Sequence, residues 1–106
     1  MKLLFVCSYG KNRSVTGAKI FADLGHETRY AGIQPHAERL LTTEDLEWAD
    51  IIYVFEKNHR NRIHTKWPIL YRTKVIRCLY IEDVWDAHDP LLINIILSNA
   101  SLSNEG

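Results

Sequence analysis

Short apolar runs and longer stretches of helical spacing alternate along the chain. "KLLFV" (2–6) is an unbroken apolar run, the pattern of a buried strand. In "SVTGAKIFADL" (14–24), Val15, Ala18, Ile20, Phe21 and Leu24 recur at roughly helical spacing, and Gly25 follows as a stop. "HETRYAG" (26–32) reads as a second strand ending in a turn. "LTTEDLEWA" (41–49) opens with Thr42 and Thr43, residues suited to capping a helix, with Asp45 and Glu47 near its start. "DIIYVFE" (50–56) is the clearest strand, β-branched and aromatic, with apolar residues on both faces. "KNHRNRIHTKW" (57–67) predicts a polar helix closed by Pro68, and "KVIRCLYI" (74–81) a fourth strand. "DPLLINIIL" (89–97) predicts a last helix with Pro90 at its first position. "SNASLSNEG" (98–106) reads as a polar tail that frays.

Strands apolar on both faces, alternating with helices, imply an α/β fold: a parallel sheet covered by helices on both sides. The expected organisation is one domain over 1–97, with 98–106 as its tail. Such sheets bind ligands at the carboxyl ends of their strands, which directs attention to Cys7, at the end of the first run.

Composition narrows the picture. Thirteen basic residues balance thirteen acidic ones, which argues against a nucleic-acid or membrane binder. No stretch approaches the ~20 apolar residues of a membrane span, and the opening apolar run, about five residues long, is below the ~7–15 of a signal peptide. Met1 is therefore read as the mature N-terminus. Cys7 and Cys78 make no disulfide framework; reduced thiols in a cytoplasm are the simpler reading. The five histidines are scattered, and His59 and His64 lack a metal-ligand set, so neither metal nor cofactor is expected. The run Lys57, His59, Arg60, Arg62, His64 and Lys66 reads as a solvated helix face, with a dock for a phosphorylated partner as the sharper alternative.

The chemistry concentrates in Cys7-Ser8-Tyr9-Gly10-Lys11-Asn12-Arg13-Ser14. A loop from a strand end into a helix start aims several backbone N–H groups at one spot and attracts an anion there. Gly10 permits the positive φ that lets the backbone curl. Arg13 offers a planar fork matched to two phosphate oxygens. Cys7 then sits under an anion site whose field would stabilise its thiolate. Ser14 is expected to cap the helix and to donate its hydroxyl to the departing sulfur. Tyr9 is placed to line the mouth of the loop. Trp48, Tyr53 and Phe55 read as core.

This stretch resembles the signature of the low-molecular-weight protein tyrosine phosphatases: Cys, five residues, Arg, Ser, early in the chain and after an apolar strand. The likeness extends over about residues 1–97. "HAERLLTTEDLEWADIIYVFEKNH" (36–59) is similar to the family's approach to its third strand, which carries a loop-ordering histidine onto His36. "IEDVW" (81–85) is similar to its Ile-Glu-Asp-Pro-Tyr segment, which carries the general acid onto Asp83 and a substrate-facing aromatic onto Trp85. The length and the His88-Asp89-Pro90 ending resemble a compact branch of predicted phosphatases. The resemblance implies a three-layer sandwich with strand order 2-1-3-4. It implies hydrolysis of phosphotyrosine or small aryl phosphates through a phosphocysteine, without metal. Cys7, Arg13 and Asp83 would be catalytic; Ser8, Tyr9, Gly10, Lys11, Asn12, Ser14 and Trp85 would contact substrate.

The chain also departs from the family pattern. Gly10 stands where an Asn is usual, and Tyr30 where a Ser supports that Asn; the two changes read as coupled. Val84 replaces a proline, and material before His36 that shapes the substrate cleft is missing. Alternatives stay open for the acid, since Asp86 and Asp89 share its loop and Asp89 suits a helix cap. They stay open for function as well: a phosphate-binding module without chemistry, a phosphotransfer subunit of a sugar-uptake system, or an arsenate reductase with Cys78 as resolving thiol.

Overall fold

A computed structural model describes residues 1–105, the last four by backbone alone. Four strands, β1 (Lys2–Cys7), β2 (Glu27–Gly32), β3 (Ile51–Val54) and β4 (Val75–Cys78), form one parallel sheet in the order β2-β1-β3-β4. β1 is central; Cys7 pairs with Gly32 on one side and Val6 with Val54 on the other. The helices are α1 (Arg13–Asp23), α2 (Thr43–Trp48), α3 (Lys57–Lys66), α4 (Pro68–Thr73) and α5 (Pro90–Glu105).

Side chains alternate across each strand, so β1 feeds two cores. Leu3, Phe5 and Cys7 face α1 and α5, where Leu92, Ile96 and Ala100 are buried with them. Leu4 and Val6 face the other layer, with Leu46 of α2 and Ile63 of α3. This is the expected sandwich, and it puts the thiol of Cys7 on the α1 side of the sheet. Tyr53 and Phe55 are buried as expected, while Trp48 is partly buried beneath the Arg29 guanidinium.

Helix boundaries follow local chemistry. Thr42 caps α2 through a reciprocal box with Asp45, whose buried carboxylate also binds Arg39. Pro68 follows on the end of α3, as expected, and also opens α4, a helix the sequence did not predict, as its first residue, where its missing N–H costs nothing. Two expectations change. Ser14 does not cap α1, because it lies inside the helix, and Asn12 holds the N-cap position. Residues from 98 onward continue α5 instead of fraying as a tail, since Ala100 is buried and Asn99 Nδ2 donates to the Leu79 carbonyl at 2.8 Å. Gly106, the end of that expected tail, lies outside the described residues. Among the described residues no helix is long and apolar enough to cross a membrane.

Candidate active site

The loop after β1 closes around the Cys7 sulfur. Gly10 adopts φ +64°, as its position required, and its N–H donates to Cys7 Sγ at 3.2 Å. The thiol in turn donates to Ser14 Oγ at 3.0 Å. A thiolate reverses this last bond, because a hydroxyl both accepts and donates. Ser14 thus stands against the sulfur from the first turn of α1.

The partner of Gly10 is Gly32, at the end of the neighbouring strand. A Cβ built on Gly32 would lie 2.4 Å from the Tyr9 carbonyl carbon and 2.5 Å from Gly10 N. A Cβ on Gly10 would lie 2.8 Å from Gly32 N. The two backbones pack directly on each other, so the compensation expected from Tyr30 comes from Gly32. Tyr30 stands at the surface, where its carbonyl accepts from Arg39 Nη1 at 2.7 Å.

Arg13 is the largest fully buried side chain, 1% exposed. Its Nη1 donates to Glu56 Oε2 and to the Ile81 carbonyl, both at 2.7 Å, while Nη2 makes a longer bond of 3.3 Å to Ser8 Oγ. Nε is buried with no hydrogen-bond partner. The protein therefore consumes the Nη1 corner and leaves the Nε edge, the one suited to paired anion oxygens. Asp83 Oδ1 stands 3.8 Å from Nε, with its side chain 47% exposed. It is positioned through the same arginine, because Ile81, two residues before it, is held by Nη1. Thr16 of α1 fixes the far end of the acid loop by accepting the His88 N–H at 2.8 Å.

These groups open into a cleft of ≈ 270 Å³ lined by Cys7, Tyr9, Lys11, Asn12, Arg13, His36, Glu38 and Asp83. Most of the residues singled out in the sequence meet there. Trp85 does not; it packs against the core beneath α1 and α5. Ser8 faces inward to Arg13 and His59. Of the other acids, Asp89 caps α5 through the Leu91 N–H, and Asp86 is exposed. Among the described residues no group of three or more His, Cys, Asp or Glu could hold a metal.

Two residues escaped the sequence reading, His59 and Glu56. His59 is fully buried, not part of a solvated face. Its Nδ1 accepts the Glu56 N–H at 3.1 Å, so in the neutral ring Nε2 carries the proton and donates to Ser8 Oγ at 3.0 Å. The histidine that holds this loop is therefore His59, through Ser8, whereas His36 is exposed at the cleft rim. Burial, then the neighbouring Arg13 charge, pushes His59 down to about 4. The available signal was the placement of Glu56 and His59 three apart at the start of a helix, a capping-box spacing.

A pH dependence follows. The folded state holds His59 neutral at pH values where the unfolded chain protonates it, so stability is full above about 6.5 and falls as pH drops toward about 4. The loss expected from this group is roughly 3 kcal/mol. His59→Gln, whose amide offers both a donor and an acceptor but does not titrate, should flatten that limb in urea titrations between pH 4 and 7; an unchanged slope would remove His59 as its source.

Neither profiles of known protein families nor curated protein sequences match the chain. Solved structures do. Wzb of Vibrio vulnificus, in complex with benzylphosphonate, superposes with a TM-score of 0.72 at 16% identity, over 99% of this chain and 98% of that one. A low-molecular-weight protein tyrosine phosphatase of Bacillus subtilis gives 0.70 at 19% identity, over 99% and 93%. The chain has the low-molecular-weight protein tyrosine phosphatase fold. The YwlE arginine phosphatase of Geobacillus stearothermophilus shares it, with a TM-score of 0.69 at 20% identity over 98% of this chain and 94% of that one. These matches cover 98–99% of this chain.

Proposed function

We infer that the protein hydrolyses phosphomonoesters through a phosphocysteine at Cys7, with phosphotyrosine or an aryl phosphate as substrate. The observation that carries this reading is the Cys7 sulfur, held by Gly10 N–H and Ser14, in one cleft with a buried arginine whose Nε has no hydrogen-bond partner. The thiolate attacks phosphorus in line, forming the P–S bond as the P–O bond to the leaving group breaks. Arg13 Nε–H and the loop amides take the charge of the equatorial oxygens. Asp83, protonated, passes its proton to the leaving oxygen. In the second step Asp83, now a carboxylate, takes a proton from water. The new P–O bond displaces sulfur, and Ser14 donates to the returning thiolate. Lys11 and Tyr9 line the mouth of the cleft, where substrate enters.

An arsenate reductase needs a second thiol within reach. Cys78 lies two strands from Cys7, about 10 Å by strand spacing, in the opposite core. A disulfide wants Cα atoms within about 7 Å. Both thiols are free, which suits a reducing cytoplasm, and burial pushes the Cys78 thiol up.

The test is hydrolysis of p-nitrophenyl phosphate between pH 5 and 7 with EDTA present. Cys7→Ser should abolish turnover. Asp83→Asn should lower it by about a hundredfold, within the usual worth of a general acid, while inorganic phosphate still inhibits. A folded wild-type protein that turns over nothing but binds phosphate would overturn hydrolysis in favour of a binding module.

A further inference from the structure

The loop that forms one wall of the cleft has a second face. His36 and Glu38 line the cleft. Ile33, Pro35 and Leu40, from the same segment, line a separate groove of ≈ 470 Å³, whose opposite wall is Arg62, Lys66 and Trp67 from α3 and its end. Pro35 and His36 are consecutive, so their Cα atoms are about 3.8 Å apart. A chain leaving the cleft over His36 reaches the groove within one or two residues.

The groove is held in shape. Arg62 Nη1 donates to Gln34 Oε1 at 3.0 Å, tying α3 to the cleft wall. The Trp67 indole N–H donates to Thr43 Oγ1 at 2.8 Å, and Lys66 Nζ lies 4.8 Å from the centre of that ring. Leu40 is 47% exposed beside them. The result is an apolar trough with two cations on one edge.

Charge says what it would take. The whole chain is neutral, yet residues 57–80 hold seven of its thirteen Lys and Arg and none of its thirteen acids. Lys57, Arg62 and Lys66 of α3 are exposed, and the helix has no acidic residue to neutralise them. A one-signed face beside an apolar trough matches a segment of opposite charge that carries apolar side chains.

We propose that this groove, with the basic face of α3, docks the polypeptide flanking the phosphorylated residue of a phosphoprotein substrate, and selects flanks that are acidic and apolar. The proposal rests on the phosphatase reading for the group in the cleft. It supplies what the active site lacks, since a cleft of ≈ 270 Å³ has room for little beyond the phosphorylated side chain.

The experiment compares two phosphotyrosyl peptides, one flanked by Glu and Leu and one by Gln and Ser, together with p-nitrophenyl phosphate. Wild type is set against Arg62→Glu/Lys66→Glu, with Arg62→Gln/Lys66→Gln as a milder pair. Wild type should favour the acidic peptide by about tenfold in kcat/KM, through KM. The Gln pair should reduce the preference and the Glu pair erase it, with p-nitrophenyl phosphate turnover within about twofold throughout. Equal kcat/KM for both peptides in an active wild type would overturn the docking surface. So would a preference that survives the Glu pair, or phosphatidylserine vesicles binding where the acidic peptide does not. Fluorescence anisotropy of the same peptides on Cys7→Ser protein separates the two readings. Preferential binding of the acidic peptide, with no wild-type turnover, would keep the surface and remove the phosphatase.

Discussion

Arg13→Lys is expected to lower kcat/KM for an aryl phosphate by about a thousandfold, on the scale of losing a main charge-stabilising donor, with the protein still folded. The variant keeps the positive charge, so Glu56 retains an ionic partner. It loses everything that depends on the guanidinium plane. In the wild type Nη1 is spent on Glu56 and the Ile81 carbonyl, which leaves the Nε edge for the phosphoryl group. An ammonium is a single point charge; it cannot bind Glu56 and present a second, oriented pair of donors 1% exposed in the same site. The Ile81 bond is lost as well, and with it the anchor that places Asp83. Steady-state kinetics, with circular dichroism as a check of folding, decides the matter. Activity within tenfold of wild type would mean that the loop amides, not Arg13, carry the charge.

Gly32→Ala should be nearly as damaging, although Gly32 touches no substrate. The added methyl meets Tyr9 and Gly10 main-chain atoms at 2.4 and 2.5 Å, and Ala37 Cβ at 2.6 Å, so no side-chain rotation relieves it. The loop must move away from β2. Gly10 N–H, which donates to the sulfur, moves with it. A loss of about 2–3 kcal/mol is expected, the upper range for overpacking, with at least a hundredfold lower kcat. Gly25→Ala is the comparison: nothing lies within 4 Å of its Cβ, and although its φ of +96° imposes some backbone strain, turnover should be unchanged. If the two variants behave alike in the phosphatase assay, backbone packing at Gly32 does not set the geometry of the loop.

Much of this architecture was legible from the residues alone. The period of "KLLFV" and "DIIYVFE" marks buried strands because a parallel sheet covered on both faces has no polar side to show. The spacing of Cys7, Gly10 and Arg13 marks an anion loop because a strand end, a positive φ and a helix start are all local features. Asp89 was readable as a cap for the same reason, and so was Thr42. The end of α5 was not. "SNASLSN" is polar by composition, and only the burial of Ala100 in the core on the α1 side and the bond from Asn99 to the Leu79 carbonyl hold it as helix.

The sequence by itself determined the four strands and the helices between them, α4 excepted, and it pointed to the loop after β1 as the place for an anion. The tertiary structure decided which partners that loop has. Arg13 reaches Glu56 across 43 residues and Ile81 across 68, and Ser8 reaches His59 across 51. It was strand register that brought β1, β3 and the segment after β4 to one edge, and so converted His59 from an apparent surface residue into a buried support. The same packing turned Trp85 into the core and made Gly32, not Tyr30, the counterpart of Gly10. Hydrophobic period and turn chemistry act within a few residues; a hydrogen bond to a buried arginine depends on where four strands meet.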